Sequence, residues 1–330
     1  MRLFLFKLAC FLGIQCLIAG MLALIYAPVP DHYLLAARQK HSLLLHQPSP
    51  RLILVGGSNL AFGVDSGLLA RRVPYHPVNL GLHASLPLKF MIGELDGHLI
   101  RGDVVVLSPE YKVLGANTPS GAGPIMLELS EYCPERFKDF SWAHYCAMSD
   151  EFFPYLRRIV LLANPLLPER YRRPHIPYAA SCFNELGDVT AHWYMPSTPP
   201  ADIERLHLTP RSYDAQALES AIRQMNRLGR NGRRQGVVVL FAYPSLAEKQ
   251  FHEGESTLRA MQAVIERKLE IPIINEPTSY CFPSDHYYDF YYHLNRTGVS
   301  RRTKQLAADL EVVLSKLSPK GSVEGDNIRN

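Results

Sequence analysis

Two short apolar runs, LILV within residues 51–56 and VVVL within residues 103–108, set the limits on what this chain can become. Neither alternates apolar with polar positions, so a strand built from either must be covered on both faces. That is the habit of parallel sheets. The first is followed, after a turn, by a helical pattern at residues 64–72, the second is preceded by one at 86–100, and between the two helices a short strand at 77–81 closes on Gly81. The rhythm resumes late in the chain. Helix 213–229, strand 236–242, helix 255–269, strand 271–275 and helix 297–317 follow in order. Strands alternating with helices predict an α/β domain of three layers, a parallel sheet between helices. In such sheets ligands bind beyond the carboxyl ends of the strands.

The chain before residue 51 reads differently. Residues 8–27 are apolar except for Gln15, and Arg2 and Lys7 precede them. Twenty helical residues at about 1.5 Å each span roughly 30 Å, the thickness of a bilayer's hydrocarbon core. The expectation is one transmembrane helix over residues 1–27, with the basic N-terminus cytoplasmic and the rest facing the periplasm or the cell exterior. The missing Ala-x-Ala pattern and Pro28 argue against cleavage, and a removed signal peptide is the alternative. Residues 28–50, bracketed by Pro28, Pro30, Pro48 and Pro50 around a helical stretch at 33–45, read as a juxtamembrane stalk. The α/β domain is expected over 51–317, with residues 113–210, rich in Pro, Tyr and Arg, as an insertion or cap. Residues 318–330 read as a disordered polar tail.

Composition removes some function classes. A hydrophobic share of 47% with 20% charged residues is that of a folded domain rather than a disordered chain. A net charge of +4 without a dense Lys/Arg stripe gives no footprint for nucleic acid, since the one basic run, residues 230–234, falls in a turn. Cys133, Cys146, Cys182 and Cys281 lie outside the apolar segment. Their even number permits two disulfides in an exported domain, with the pairing open.

Three strand ends carry groups suited to chemistry. The first strand ends in Gly56-Gly57-Ser58-Asn59, where glycines let the chain turn sharply and leave Ser58 at the start of a helix, the logic of a nucleophile elbow without its G-x-S-x-G spelling. The second ends in Asn79-Leu80-Gly81, where a missing Cβ opens a backbone N–H. Ahead of the last helix, Asp289 and His293 are four residues apart and can meet through one turn. A serine hydroxyl needs a base, the base needs an orienting carboxylate, and a developing oxyanion needs donors. Ser58, His293 and Asp289 fill the first three roles. The N–H groups of Ser58 and Gly81 fill the last.

These blocks resemble the SGNH (GDSL-type) hydrolases, and more closely their membrane-anchored bacterial branch linked to cell-surface polysaccharide acylation. The likeness covers residues 51–108 and 236–317. Gly56 to Asn59 resembles the block carrying the nucleophile, Asn79 to Gly81 the second block, and Asp289 to Gly298, with its D-x-x-Y-H-L form, the last. The resemblance implies a flavodoxin-like sheet and a serine esterase or O-acyltransferase. Its substrate would be an acyl ester, acetyl foremost, of an envelope glycan. It implies no cofactor, and as a transferase it would take its acyl group from an integral-membrane donor protein. One departure stands out. The third block, Leu107-Ser108-Pro109-Glu110-Tyr111, lacks the asparagine that completes the family's oxyanion hole, a part that Asn59 would have to replace.

Other readings compete. A non-catalytic SGNH fold serving as a binding or assembly module fits the missing asparagine, whereas the retained Ser, Asp and His oppose it. A lipase-like esterase would show an apolar groove near Ser58. Asp285, His286, Asp289 and His293 are metal-ligand types within nine residues, but no partner elsewhere shows ligand spacing, so no metal is expected. The aromatic run Tyr287, Tyr288, Phe290, Tyr291 and Tyr292 reads mainly as packing, with one or two rings lining the site. His83 reads as a loop histidine that could also touch substrate.

Overall fold

The computed structural model describes residues 2–25, 29–115, 123–135, 140–163, 168, 174–208 and 212–317. In chain order it contains α1 (Arg2–Ile25), α2 (Ala36–His46), β1 (Arg51–Gly56), α3 (Ser58–Ala61), α4 (Ser66–Ala70), β2 (His76–Asn79), α5 (Leu88–Gly93) and β3 (Val104–Ser108). The region expected to be an insertion holds α6 (Tyr111–Gly115), α7 (Gly123–Tyr132), α8 (Trp142–Asp150), α9 (Phe152–Ala163) and α10 (Pro200–Arg205). There follow α11 (Ala215–Gln235), β4 (Val238–Phe241), β5 (Leu246–Ala247), α12 (Glu248–Glu253), α13 (Glu255–Lys268), β6 (Cys281–Phe282) and α14 (Arg296–Leu317).

The main sheet is parallel, with strand order β2-β1-β3-β4. A single parallel bridge from Phe241 to Ile273 extends it in the direction of the expected fifth strand. This is the strand order of flavodoxin-like sheets, in which sites form at the carboxyl edge. Every residue of β1 and of β3 is buried, as strands covered on both faces must be. Register aligns Gly56 with Ser108, so β1 and β3 end together at one edge of the sheet. The mixed α/β fold with its parallel sheet is therefore as expected.

The N-terminal expectation needs correction. Arg2 and Lys7 lie inside the first helix, Arg2–Ile25, rather than ahead of it. Among the described residues, no helix is long and apolar enough to cross a membrane, which overturns the transmembrane anchor.

Residues 29–50 are likewise not a free stalk. Leu34, Ala36 and Leu44 are fully buried in the domain core, and the Lys40 ammonium, itself buried, donates to the carbonyl of Asn79 at 2.8 Å and to that of Gly187. Arg51 at the start of β1 is buried against Asp103, and its guanidinium also reaches the carbonyls of Leu44 and His98. The segment expected as a juxtamembrane stalk is thus part of the domain. All six cysteines are free, so the pairing that the even number allowed is not made. The tail at 318–330 lies outside the described residues.

Candidate active site

The site begins with the tight meeting of β1 and β3. Gly56 sits so close to β3 that a Cβ there would overlap the Ser108 carbonyl oxygen, and a Cβ at Gly57 would overlap the Glu110 carboxyl. The chain can turn here only because both side chains are absent. Ser58 therefore opens α3 directly after the sheet, and its carbonyl accepts the N–H of Phe62 at 2.9 Å. Gly81 performs the same service for β2. A Cβ would stand 2.5 Å from Leu60 Cβ and 2.8 Å from the Ala61 nitrogen, so the glycine lets the loop after β2 lie against α3.

The base and its orienting group meet in the turn ahead of α14. The His293 Nδ1 lies 2.8 Å from Asp289 Oδ1, and the second carboxylate oxygen accepts a hydrogen bond from the Tyr178 hydroxyl. With Asp289 ionised, Nδ1 carries the hydrogen and Nε2 is left as the basic nitrogen. Burial would raise the Asp289 carboxyl, but the hydrogen bonds from His293 and Tyr178 hold it below the usual carboxylate value. Burial and the neighbouring Asp289 charge push the Tyr178 hydroxyl well above its ordinary value, so it stays a donor. Phe62, one turn after Ser58, stacks on the His293 ring with centroids 4.3 Å apart and planes 15° off parallel. The ring of His293 is thus fixed by a carboxylate at its edge and an aromatic on its face.

The nucleophile end of the arrangement is open. Among the described residues, the Ser58 hydroxyl, the Ser58 N–H and His293 Nε2 have no hydrogen-bond partner, and no bond joins Ser58 to His293. Catalytic hydrogen bonds in a free enzyme often tighten only when substrate binds. A cavity of about 680 Å³, lined by residues including Arg38, His41, Glu94 and His98, includes neither Ser58 nor His293.

Two of the residues expected as oxyanion donors are occupied. The Asn59 side chain donates to the Ser108 carbonyl at 2.8 Å, and its amide oxygen accepts from Arg302 at 2.9 Å. Its backbone N–H goes to Glu110 at 2.8 Å. Asn59 is therefore a brace between β3 and α14, not a spare donor. The Gly81 N–H donates to the Asn79 side chain at 2.9 Å. Only the Ser58 N–H is free as expected.

Other residues take the places that sequence reasoning left open. Glu110, just past the end of β3, is fully buried against the Ser58 turn. Its position just past a strand end was the available signal. Tyr178 had none, because it joins Asp289 across 111 residues of chain. His83 is not a simple surface residue, since burial first, then the charges of His293 and Lys112, pull its imidazole down to about 4. Tyr287, Tyr288, Tyr291 and Tyr292 are buried and serve packing. Asp285 and His286 bond to one another at 2.8 Å, apart from the Asp289–His293 pair.

Compared with known proteins, the chain matches no family model and no curated relative.

Proposed function

We propose that the chain is a serine-dependent ester hydrolase or O-acyltransferase. Ser58 attacks the acyl carbon, His293 takes and returns the proton, and Asp289 orients the imidazole. The observation that carries this reading is the 2.8 Å Asp289–His293 contact, with the second carboxylate oxygen satisfied by Tyr178. That is the base–orienter half of a triad, and the Phe62 ring that stacks on His293 lies one turn after Ser58, whose N–H has no partner among the described residues. The substrate class, an acyl ester (acetyl foremost) of an envelope glycan, rests on the likeness of the strand-end blocks to SGNH hydrolases.

The test is covalent labelling. The full chain should take up a fluorophosphonate at Ser58 and cleave a chromogenic acetyl ester, and Ser58→Ala should abolish both. A folded wild-type chain that neither labels nor turns over would sink the enzyme reading. It would favour the second one, a binding module that keeps the fold, for which the missing Ser58–His293 hydrogen bond and the occupied Gly81 N–H speak.

A further inference from the structure

An oxyanion held by a single N–H is poorly stabilised, since such sites work through converging donors. The Gly81 N–H and the Asn59 amide are both engaged within the protein, which leaves the Ser58 N–H alone. His83, in the loop after β2, carries a donor that no described group uses.

The sheet brings this loop to the nucleophile. β1 and β2 pair with Leu54 opposite Asn79. The Leu80 N–H donates to the Leu54 carbonyl at 2.8 Å and the Leu82 N–H to that of Gly56 at 3.4 Å, so the pairing runs on past the end of β2. Carried forward, that register sets His83 level with Ser58. The Tyr33 hydroxyl donates to the Leu82 carbonyl at 2.7 Å, and the Tyr33 ring meets His83 edge-on with centroids 6.5 Å apart. The same ring packs against Phe62, which stacks on His293, and against Tyr178, which bonds Asp289. His83 therefore shares one aromatic support with the base and its orienting carboxylate.

The tautomer of His83 is fixed by the backbone. Its Nδ1 accepts the Ser85 N–H at 3.0 Å, so the hydrogen of the neutral ring sits on Nε2. The ring is partly exposed, and its Nε2 has no partner among the described residues and is open to solvent. Burial first, then the charges of His293 and Lys112, keep this imidazole uncharged at neutral pH. His293 becomes a cation when it takes the serine proton, and a second cation near it would oppose that step. A neutral imidazole offers a hydrogen bond without that penalty.

We propose that His83 is the second oxyanion donor, giving its Nε2–H to the carbonyl oxygen of the ester alongside the Ser58 N–H. This rests on the serine-hydrolase reading above. When the Ser58 oxygen bonds to the acyl carbon, the carbonyl π pair moves onto oxygen and the hydroxyl proton passes to His293 Nε2. The Ser58 N–H and the His83 Nε2–H share the new negative charge. Collapse of the adduct restores the carbonyl and expels the leaving oxygen, which takes the proton back from His293. His83 keeps its own hydrogen throughout.

Two substitutions separate the two nitrogens of the ring. His83→Asn keeps a side-chain acceptor for the Ser85 N–H, two residues on, and loses the outer donor. His83→Gln keeps an outer N–H and gives up that acceptor. With a chromogenic acetyl ester, His83→Asn should lose about a hundredfold in kcat with KM little altered, and His83→Gln should stay within about tenfold of the wild type. In nitrogen NMR spectra of isotope-labelled histidine, the wild-type His83 signal, identified by its loss in His83→Gln, should be that of the Nε2–H form at neutral pH. It should shift when a fluorophosphonate labels Ser58, because the phosphoryl oxygen then stands where the oxyanion forms. Wild-type kcat in His83→Asn, a His83→Gln loss as deep as that of His83→Asn, or an Nε2 signal unmoved by labelling overturns the inference. Should His83→Asn lose its cooperative thermal transition, His83→Gln and the NMR shift decide alone. Ser58 labelling keeps the two ideas apart. A wild type that labels while His83→Asn keeps full kcat rejects only the role of His83, whereas a wild type that neither labels nor turns over rejects the enzyme and the donor together.

Discussion

Asp289 shows how much a single side chain can be asked to do. It accepts from His293 on one oxygen and from Tyr178 on the other, so the carboxylate is held from two sides while it selects the imidazole tautomer. In Asp289→Asn an amide group would face Nδ1, and the ring could turn its hydrogen toward Ser58, leaving no base. The expected loss is about ten-thousandfold in kcat at neutral pH, with KM little altered, measured on a chromogenic ester. A loss under tenfold would show that Asp289 only braces the turn. The Asp289–His293 contact was legible in the sequence because a carboxylate and an imidazole four residues apart can meet through one turn. Asn59 was misread for a physical reason. A short amide beside the nucleophile can turn outward to substrate or inward to the protein, and only the arrival of Arg302 from α14, 243 residues later, decides it.

At the scale of elements, the pattern of the sequence was most reliable where both faces of a segment are covered. The expected strand at 51–56 is reproduced without change and that at 103–108 loses one residue, because unbroken apolar runs leave no other place for their backbone. The helix expected at 86–100 shrinks to Leu88–Gly93. Pro87 fixes its start, and Gly97, with φ +78°, lies in the left-handed region where a helix cannot continue. The strand at 271–275 is reduced to the Ile273 bridge, as Pro272 can give no N–H to a ladder. The close approach of β1 and β3 also yields a test. In Gly56→Ala the new methyl group would meet the Ser108 carbonyl, which cannot retreat without moving β3. Overpacking of this kind costs about 1–3 kcal/mol, and it should also shift the turn that presents Ser58. Urea denaturation should show the loss, and fluorophosphonate labelling of the variant that remains folded should slow. Unaltered stability would mean that the strand ends are less closely packed than their geometry implies.

For the whole molecule, the largest departure from the sequence reading concerns residues 29–50. Prolines around a short helix looked like a spacer, yet the segment brings Leu34 and Leu44 into the core and the Lys40 ammonium to the end of β2. Lys40 meets there the network in which Asp188 accepts from Ser66 and Asn79, and burial draws its ammonium downward while lifting the Asp188 carboxyl. Such an arrangement joins α2, β2, α4 and the loop around Gly187 across long stretches of chain, and no local pattern in the sequence announces it. Its consequence is a difference between two truncations. A chain starting at residue 29 keeps every one of these contacts and should fold cooperatively. A chain starting at residue 51 would expose the surface that Leu34, Ala36 and Leu44 cover, and would leave the Asp188 cluster without its cation. Burying one leucine side chain is worth about 1.5–3 kcal/mol, so losing two, together with a buried cation, removes a large part of the 5–15 kcal/mol that holds a typical domain together. Expression of both forms, followed by thermal unfolding monitored by circular dichroism, should give a sharp transition for the first and none, or aggregation, for the second. Equal melting temperatures would return residues 29–50 to the role of a spacer.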